Sequence, residues 1–227
     1  KNEIKDVSAG DDNSLSDDNR VKWHSFFYKA YPFTVEYEVE VKYNGTMFLP
    51  KWIPQEKEIM SVEKSRLSVQ TPTDNPVRYK MFNYKGEPVI TNTKSDILYT
   101  WQTEQIPATE SEYASPGWHE QTTSVFLTTE KFVLEDYNGS NTSWKEFGKF
   151  VYDLKKQRDE LPDDIKKKVY ELTNGVADPK EKIRRLYEYM QQNTRYISIQ
   201  LGIGGWQPFD AKYVATKKYG DCKALSN

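Results

Sequence analysis

Cys222 is the only cysteine in the 227-residue chain, within Tyr219-Gly220-Asp221-Cys222-Lys223-Ala224-Leu225. A Gly-Asp pair precedes the thiol and helix-forming residues follow it, which predicts a cysteine in the first turn of a helix. Amide N–H groups there lack intrahelical acceptors, and the helix dipole favours the thiolate, the nucleophilic form. The usual partner is an imidazole within hydrogen-bond reach. The chain has two histidines, His24 and His119, both in sequence of strand character, so neither is expected beside Cys222. One cysteine and two isolated histidines have no metal-ligand spacing, so no metal is expected. Gly202-Ile203-Gly204-Gly205 lacks the lysine of a phosphate loop and the strand–GxGxxG–helix order of a dinucleotide site, and no cofactor is expected. It reads instead as a tight loop. The next residues, Trp206 and Gln207, are candidates to line the site or to donate a hydrogen bond to an oxyanion.

The elements that must position these residues fall into two blocks, 1–142 and 143–227. The first 20 or so residues are polar and acidic and read as a solvated arm; Asp11, Asp12 and Asn13 lack the spacing of a calcium loop. Residues 23–28 read as strand. Residues 33–43 alternate strictly, with Phe33, Val35, Tyr37, Val39, Val41 and Tyr43 on one side and Glu36, Glu38 and Glu40 on the other. That pattern predicts a half-buried strand, turned by Asn44-Gly45. Further strands are expected near 58–61, 65–70, 78–84, 97–101, 122–127 and 131–137, separated by turn residues such as Lys85-Gly86-Glu87-Pro88. With 16 Tyr and 6 Trp, this is the composition of an antiparallel sandwich or barrel, with no helix expected before residue 143.

The period then changes to that of helices. Ser143-Trp144-Lys145-Glu146 has capping-box form ahead of a stripe of Trp144, Phe147, Val151 and Leu154. A second helix opens at Leu161-Pro162-Asp163, carries Ile165, Val169 and Leu172, and closes at Asn174-Gly175. A third opens at Asp178-Pro179 with Ile183, Leu186, Tyr187 and Met190 as its buried stripe. Residues 196–199 read as extended.

Net charge is −2, with 32 Lys and Arg against 34 Asp and Glu, which argues against nucleic acid or an anionic membrane as partner. No apolar run approaches the roughly 20 residues of a membrane span. The chain opens on Lys1 without an apolar leader, as a processed or trimmed chain would. Three Asn-x-Ser/Thr sequons, at Asn44, Asn138 and Asn141, fall at expected turns.

Arg195-Tyr196-Ile197-Ser198-Ile199-Gln200-Leu201-Gly202-Ile203-Gly204-Gly205-Trp206-Gln207-Pro208, with Gly220-Asp221-Cys222-Lys223-Ala224, resembles the bacterial transglutaminase-like superfamily, whose core is papain-like. Tyr31-Pro32-Phe33-Thr34-Val35-Glu36-Tyr37 and Pro50-Lys51-Trp52-Ile53-Pro54 resemble the branch that carries an N-terminal β-sandwich domain of unknown function. The resemblance implies an α+β fold: an antiparallel β-sandwich over 1–142, then the helical front of the core over 143–227. It implies a Cys-His-Asp triad with Cys222 as nucleophile and acyl transfer on a peptide or protein amide. It also implies a periplasmic or cell-surface location. The matching His and Asp are not in the sequence, so the chain by itself is expected to be catalytically silent, with a frayed terminal turn. The competing reading is a non-catalytic scaffold whose sandwich binds a glycan, a peptide or a cell-surface partner.

Overall fold

The structure, a computed structural model, describes residues 4–9, 16–17, 19–26, 30–110 and 112–227. It is a mixed α/β chain with antiparallel sheets and several helices. Two compact units divide it: Lys1–Lys42 with Gly148–Asn227, and Tyr43–Phe147. This division groups the first 42 residues with the helical part.

The N-terminal segment holds β1 (Lys5–Ser8), β2 (Ser16–Asp17) and β3 (Arg20–Trp23). β1 pairs with β3 antiparallel, Lys5 opposite Trp23, and Arg20 Nε donates to Asp6 Oδ1 at 2.9 Å. The stretch is therefore not simply a solvated arm. Asp11, Asp12 and Asn13 lie outside the described residues, as do Phe27 and Tyr28 of the expected 23–28 strand, of which β3 supplies Trp23.

The strand expected over 33–43 is not formed. These residues form no ladder, and Val35, Tyr37, Val39, Val41 and Tyr43 are exposed. Alternation makes a segment competent to be a strand; a ladder also needs a neighbour in register. Asn44-Gly45 makes no hairpin either. The chain there docks on another strand, with the Thr46 N–H donating to the Val133 carbonyl at 2.8 Å and the Val133 N–H to Thr46 Oγ1 at 3.0 Å. A Cβ on Gly45 would lie 2.5 Å from that carbonyl, so the approach requires glycine.

The second unit is built from β4 (Val62–Pro72), β5 (Val77–Phe82), β6 (Val89–Asn92), β7 (Asp96–Ile106), a short helix α1 (Trp118–Gln121), β8 (Ser124–Thr129), β9 (Lys131–Leu134) and β10 (Tyr137–Ser140). β7 lies between β4 and β6; β5 pairs with β8 and β9 with β10, all antiparallel. Leu67 and Val69 from β4, Tyr99 and Trp101 from β7, Val77 and Met81 from β5 and Val125 from β8 enter one core. Trp101 is 0% exposed and its indole Nε1 donates to the Met81 sulfur at 3.3 Å, so the two sheets share that core. Period-two alternation of β-branched and aromatic residues produces this inward face.

Residues 58–61 form a turn rather than a strand, organised by Gln55. Its side chain is 2% exposed. Nε2 donates to the Met60 and Pro107 carbonyls at 2.6 and 2.8 Å, and Oε1 accepts from Thr122 Oγ1 at 3.1 Å. α1, a helix where none was expected, sends Trp118 Nε1 to the Gln55 carbonyl at 2.6 Å.

Then follow α2 (Trp144–Lys155), α3 (Asp163–Thr173), α4 (Pro179–Asn193), β11 (Arg195–Tyr196), β12 (Ile199–Gln200), a 3₁₀ turn (Gly202–Gly205), α5 (Ala211–Lys217), β13 (Tyr219–Gly220) and α6 (Cys222–Ser226). α2 starts as expected, the Glu146 N–H donating to Ser143 Oγ at 3.2 Å. Its buried positions are Phe150 and Leu154, whereas Trp144 is 89% exposed and Val151 is also exposed. α3 is closed by Asn174 and Gly175, the latter with a φ of +74° in the left-handed region that favours glycine. α4 is capped by Asp178, which accepts from the Lys180 N–H at 3.0 Å. Ile183 and Tyr187, expected inside, are exposed; Leu186, Tyr189 and Met190 face α3 and α5 across an apolar cavity of about 210 Å³ that reaches Leu225.

Candidate active site

Cys222 is the first residue of α6, as its sequence context predicts, and its thiol is exposed. The approach to it is set by α5. Lys218 ends that helix in the left-handed conformation, φ 61° and ψ 30°, its N–H returning to the Val214 carbonyl at 2.8 Å. The chain then reverses into β13, which pairs in parallel with β11: Arg195 opposite Tyr219, Tyr196 opposite Gly220. A Cβ on Gly220 would sit 3.0 Å from the Ala224 Cβ and 3.4 Å from Val214 Cγ2, so glycine lets α6 fold tightly onto α5. α6 is a formed, docked turn, with the Leu225 N–H bonded to the Asp221 carbonyl at 2.9 Å and Ala224 buried. This departs from the fraying expected of so short a helix, and tertiary packing is the reason.

Asp221 caps α6. It is 4% exposed; Oδ1 accepts from the Ala224 N–H at 2.9 Å, and Oδ2 pairs with the Lys223 ammonium. The cap satisfies the third N–H of the helix and leaves those of Cys222 and Lys223 with no acceptor among the described residues. An exposed sulfur beside two unpaired amide N–H groups is an arrangement that favours an anion at the thiol or on an oxygen next to it.

The other predicted site residues are placed differently. The 3₁₀ turn presents the Ile203 carbonyl to the N–H groups of both Trp206 and Gln207, each at 2.8 Å. Gln207 Nε2 donates to the Leu154 carbonyl at 3.0 Å, closing the last turn of α2. Gln207 therefore ties a loop to a helix end, and no hydrogen bond links it or Trp206 to Cys222 Sγ, which has no hydrogen-bond partner among the described residues. Neither histidine is brought to the thiol by any hydrogen bond. His24 packs edge-on against Phe26. His119 belongs to the second unit, where its ring meets Phe82 and Phe126 edge-on and its Nε2 is 3.5 Å from Glu120 Oε1. Among the described residues no His, Cys, Asp and Glu side chains converge to hold a metal ion.

Sequence reasoning missed two features here. Arg158 anchors the loop, its Nη1 2.8 Å from Asp210 Oδ1 while its carbonyl accepts from the Ala211 N–H at 2.7 Å. The legible signal was Asp210-Ala211 as a helix start after Pro208. Tyr213 and Tyr219 share a hydroxyl–hydroxyl hydrogen bond of 2.6 Å. The bond to Tyr213, with some burial, holds the Tyr219 phenol above its ordinary value near 10. Their spacing of six carries no periodic signal.

Residues 1–110 match the family model of DUF3857, a domain of unknown function with a solved structure. No curated protein matches the chain. Among solved structures, the chain is similar to that of a putative protease from Parabacteroides distasonis, at 18% identity and a TM-score of 0.49 over 78% of this chain. The chain spans 33% of the length of that protein. Among the described residues no helix is long and apolar enough to cross a membrane.

Proposed function

We propose that this chain supplies the nucleophile of a transglutaminase-like acyl-transfer protein, with Cys222 as the attacking thiol. The observation that carries the reading is the exposed Sγ on the first residue of a capped helix, with two unpaired N–H groups at its side. In this mechanism the thiolate adds to a peptide or protein amide carbonyl. The Cys222 N–H stands ready for the resulting oxyanion, the amine departs with a proton, and a thioester forms. Water or a second amine then releases the acyl group. The base is a histidine other than His24 and His119, and the orienting Asp likewise comes from outside these 227 residues.

The same reading assigns the two sheets around Trp101 to a β-sandwich in the accessory domain, and the core that the two sheets share supports that assignment. Export to the periplasm or cell surface belongs to the proposal through the resemblance. The test is amide hydrolysis by the longer protein that this reading requires, against its Cys222→Ala variant. Turnover that disappears with the sulfur supports the reading; full turnover without it refutes it. The 227-residue chain assayed by itself is expected to label at Cys222 with iodoacetamide but not to turn over.

A further inference from the structure

Between Gln191 and Gly220 the sequence holds four cations, Arg195, Lys212, Lys217 and Lys218, and one acid, Asp210. Asp210 is taken by Arg158 at 2.8 Å. Three of the cations, Arg195, Lys217 and Lys218, line one open concavity of about 620 Å³, with Gln191, Gln192 and Asn193 from the end of α4. Among the described residues no acidic side chain lines it, and none of the three cations has an ion-pair partner.

The backbone holds the three together. The Arg195 N–H donates to the Lys218 carbonyl at 2.8 Å, and Arg195 is the β-partner of Tyr219. The wall also discriminates. Primary amides offer both donors and acceptors, the complement of a peptide group, whereas guanidinium and ammonium groups offer donors only and select carboxylates. One N–H of Asn193 Nδ2 is taken by the Tyr189 carbonyl at 2.8 Å, and its oxygen is left for a ligand N–H.

We infer that the concavity bounded by Arg195, Lys217, Lys218 and the α4 amides is a binding site for an acidic peptide segment. Tyr219 lies in its wall and three residues before Cys222, so a peptide held there runs next to the thiol segment. That the bound peptide is also the acyl donor rests on the acyl-transfer reading of Cys222; the binding itself does not.

The test is fluorescence anisotropy of a labelled glutamate-rich peptide on Cys222→Ser protein, so that no thiol chemistry enters. A peptide with glutamine at every glutamate, and free glutarate as competitor, are the comparison arms. The glutamate peptide is expected to bind, and to weaken steeply between about 0.01 M and 1 M salt as the screening length falls from about 30 Å to about 3 Å. Losing both exposed charges in Arg195→Ala/Lys217→Ala is expected to cost at least about tenfold in Kd. Lys217→Ala alone covers the case of a misfolded double variant with a smaller loss, and Lys64→Ala in the second unit is expected to change nothing. Amide resonances of residues 191–195 and 217–219 should move on titration. Equal binding of the glutamine peptide, displacement by glutarate at equal carboxylate concentration, or an unchanged Kd in the double variant overturns the inference. Failure here leaves the iodoacetamide and turnover results on Cys222 untouched, and their failure leaves this binding untouched.

Discussion

Removing the cap of α6 tests whether Asp221 organises the thiol. The Asp221→Ala variant loses the Oδ1 acceptor of the Ala224 N–H, 2.9 Å away and buried. It leaves Lys223 unpaired, but that side chain retains a quarter of its exposure and can turn to water. The loss is therefore that of an N-cap, about 0.5–2 kcal/mol with about 1 kcal/mol typical. Since 1.4 kcal/mol is a factor of ten, the population with α6 open should rise about fivefold, within limits of about twofold and about thirtyfold. The reporter is hydrogen exchange at the Leu225 amide, whose bond to the Asp221 carbonyl forms only when the turn does. Asp221→Asn keeps the acceptor and removes the same charge, so it separates capping from electrostatics and should restore exchange to within about twofold. Iodoacetamide should then label Cys222 more slowly in the alanine variant than in the asparagine variant. The thiol is already exposed, so opening gains no access, while it scatters the N–H groups beside the sulfur. Leu225 exchange in Asp221→Ala within twofold of wild type would show that the carboxylate is not the cap that holds this turn.

Gln55→Leu leaves the Met60 and Pro107 carbonyls without their donor, and urea unfolding should show a loss of about 1–3 kcal/mol. Hydrogen bonds from Arg184, then Arg185, lower the Glu181 carboxyl from its ordinary 4.5 to about 2. Its stabilising contribution is therefore present above pH 4.5 and lost as pH falls through about 2, so the difference in Tm between wild type and Glu181→Gln should shrink over that window. A persistent difference at the acid end contradicts the pairing. Alkaline difference absorbance should find two tyrosines, Tyr79 and Tyr219, titrating above the ordinary range, and Tyr213→Phe should remove the Tyr219 share of that late phase, because Tyr213 provides the main cause of its shift, while leaving the Tyr79 share in place. Residues 34–43 make no hydrogen bond among the described residues, so their amides should exchange at nearly unprotected rates; protection like that of β7 would mean the segment has found a ladder.

What the sequence revealed tracks how local the determinant is. The start of α4 needs only Asp178 and Pro179, and the end of α3 only Gly175, so both were legible. The strands expected at 65–70 and 97–101 lie inside β4 and β7, which both run longer. Residues 33–43 alternate more strictly and still form no ladder, because pairing is a property of two segments and periodicity describes one. The face that α2 buries failed for a related reason. Trp144 and Val151 fit a helical stripe, yet the side that touches neighbours is that of Phe150 and Leu154, and only the packing partners decide between adjacent stripes.

The site divides along the same line. Cys222 in the first turn of a helix follows from a handful of adjacent residues, and the structure has it there, with Asp221 as the cap. Gln207 is a candidate on chemical grounds alone, and in the structure its side-chain amide closes the last turn of α2 through the Leu154 carbonyl. Its amide could serve an oxyanion only by sharing or leaving that bond, and leaving it would orphan a helix-end carbonyl. The backbone N–H groups of Cys222 and Lys223 carry no such conflict: they point from a turn whose geometry is already fixed by Asp221 and whose packing is fixed by Gly220. If this chain stabilises an oxyanion, the donors that cost nothing to recruit are in the main chain of α6, and substitution of Gln207 should disturb the α2 loop before it disturbs the chemistry.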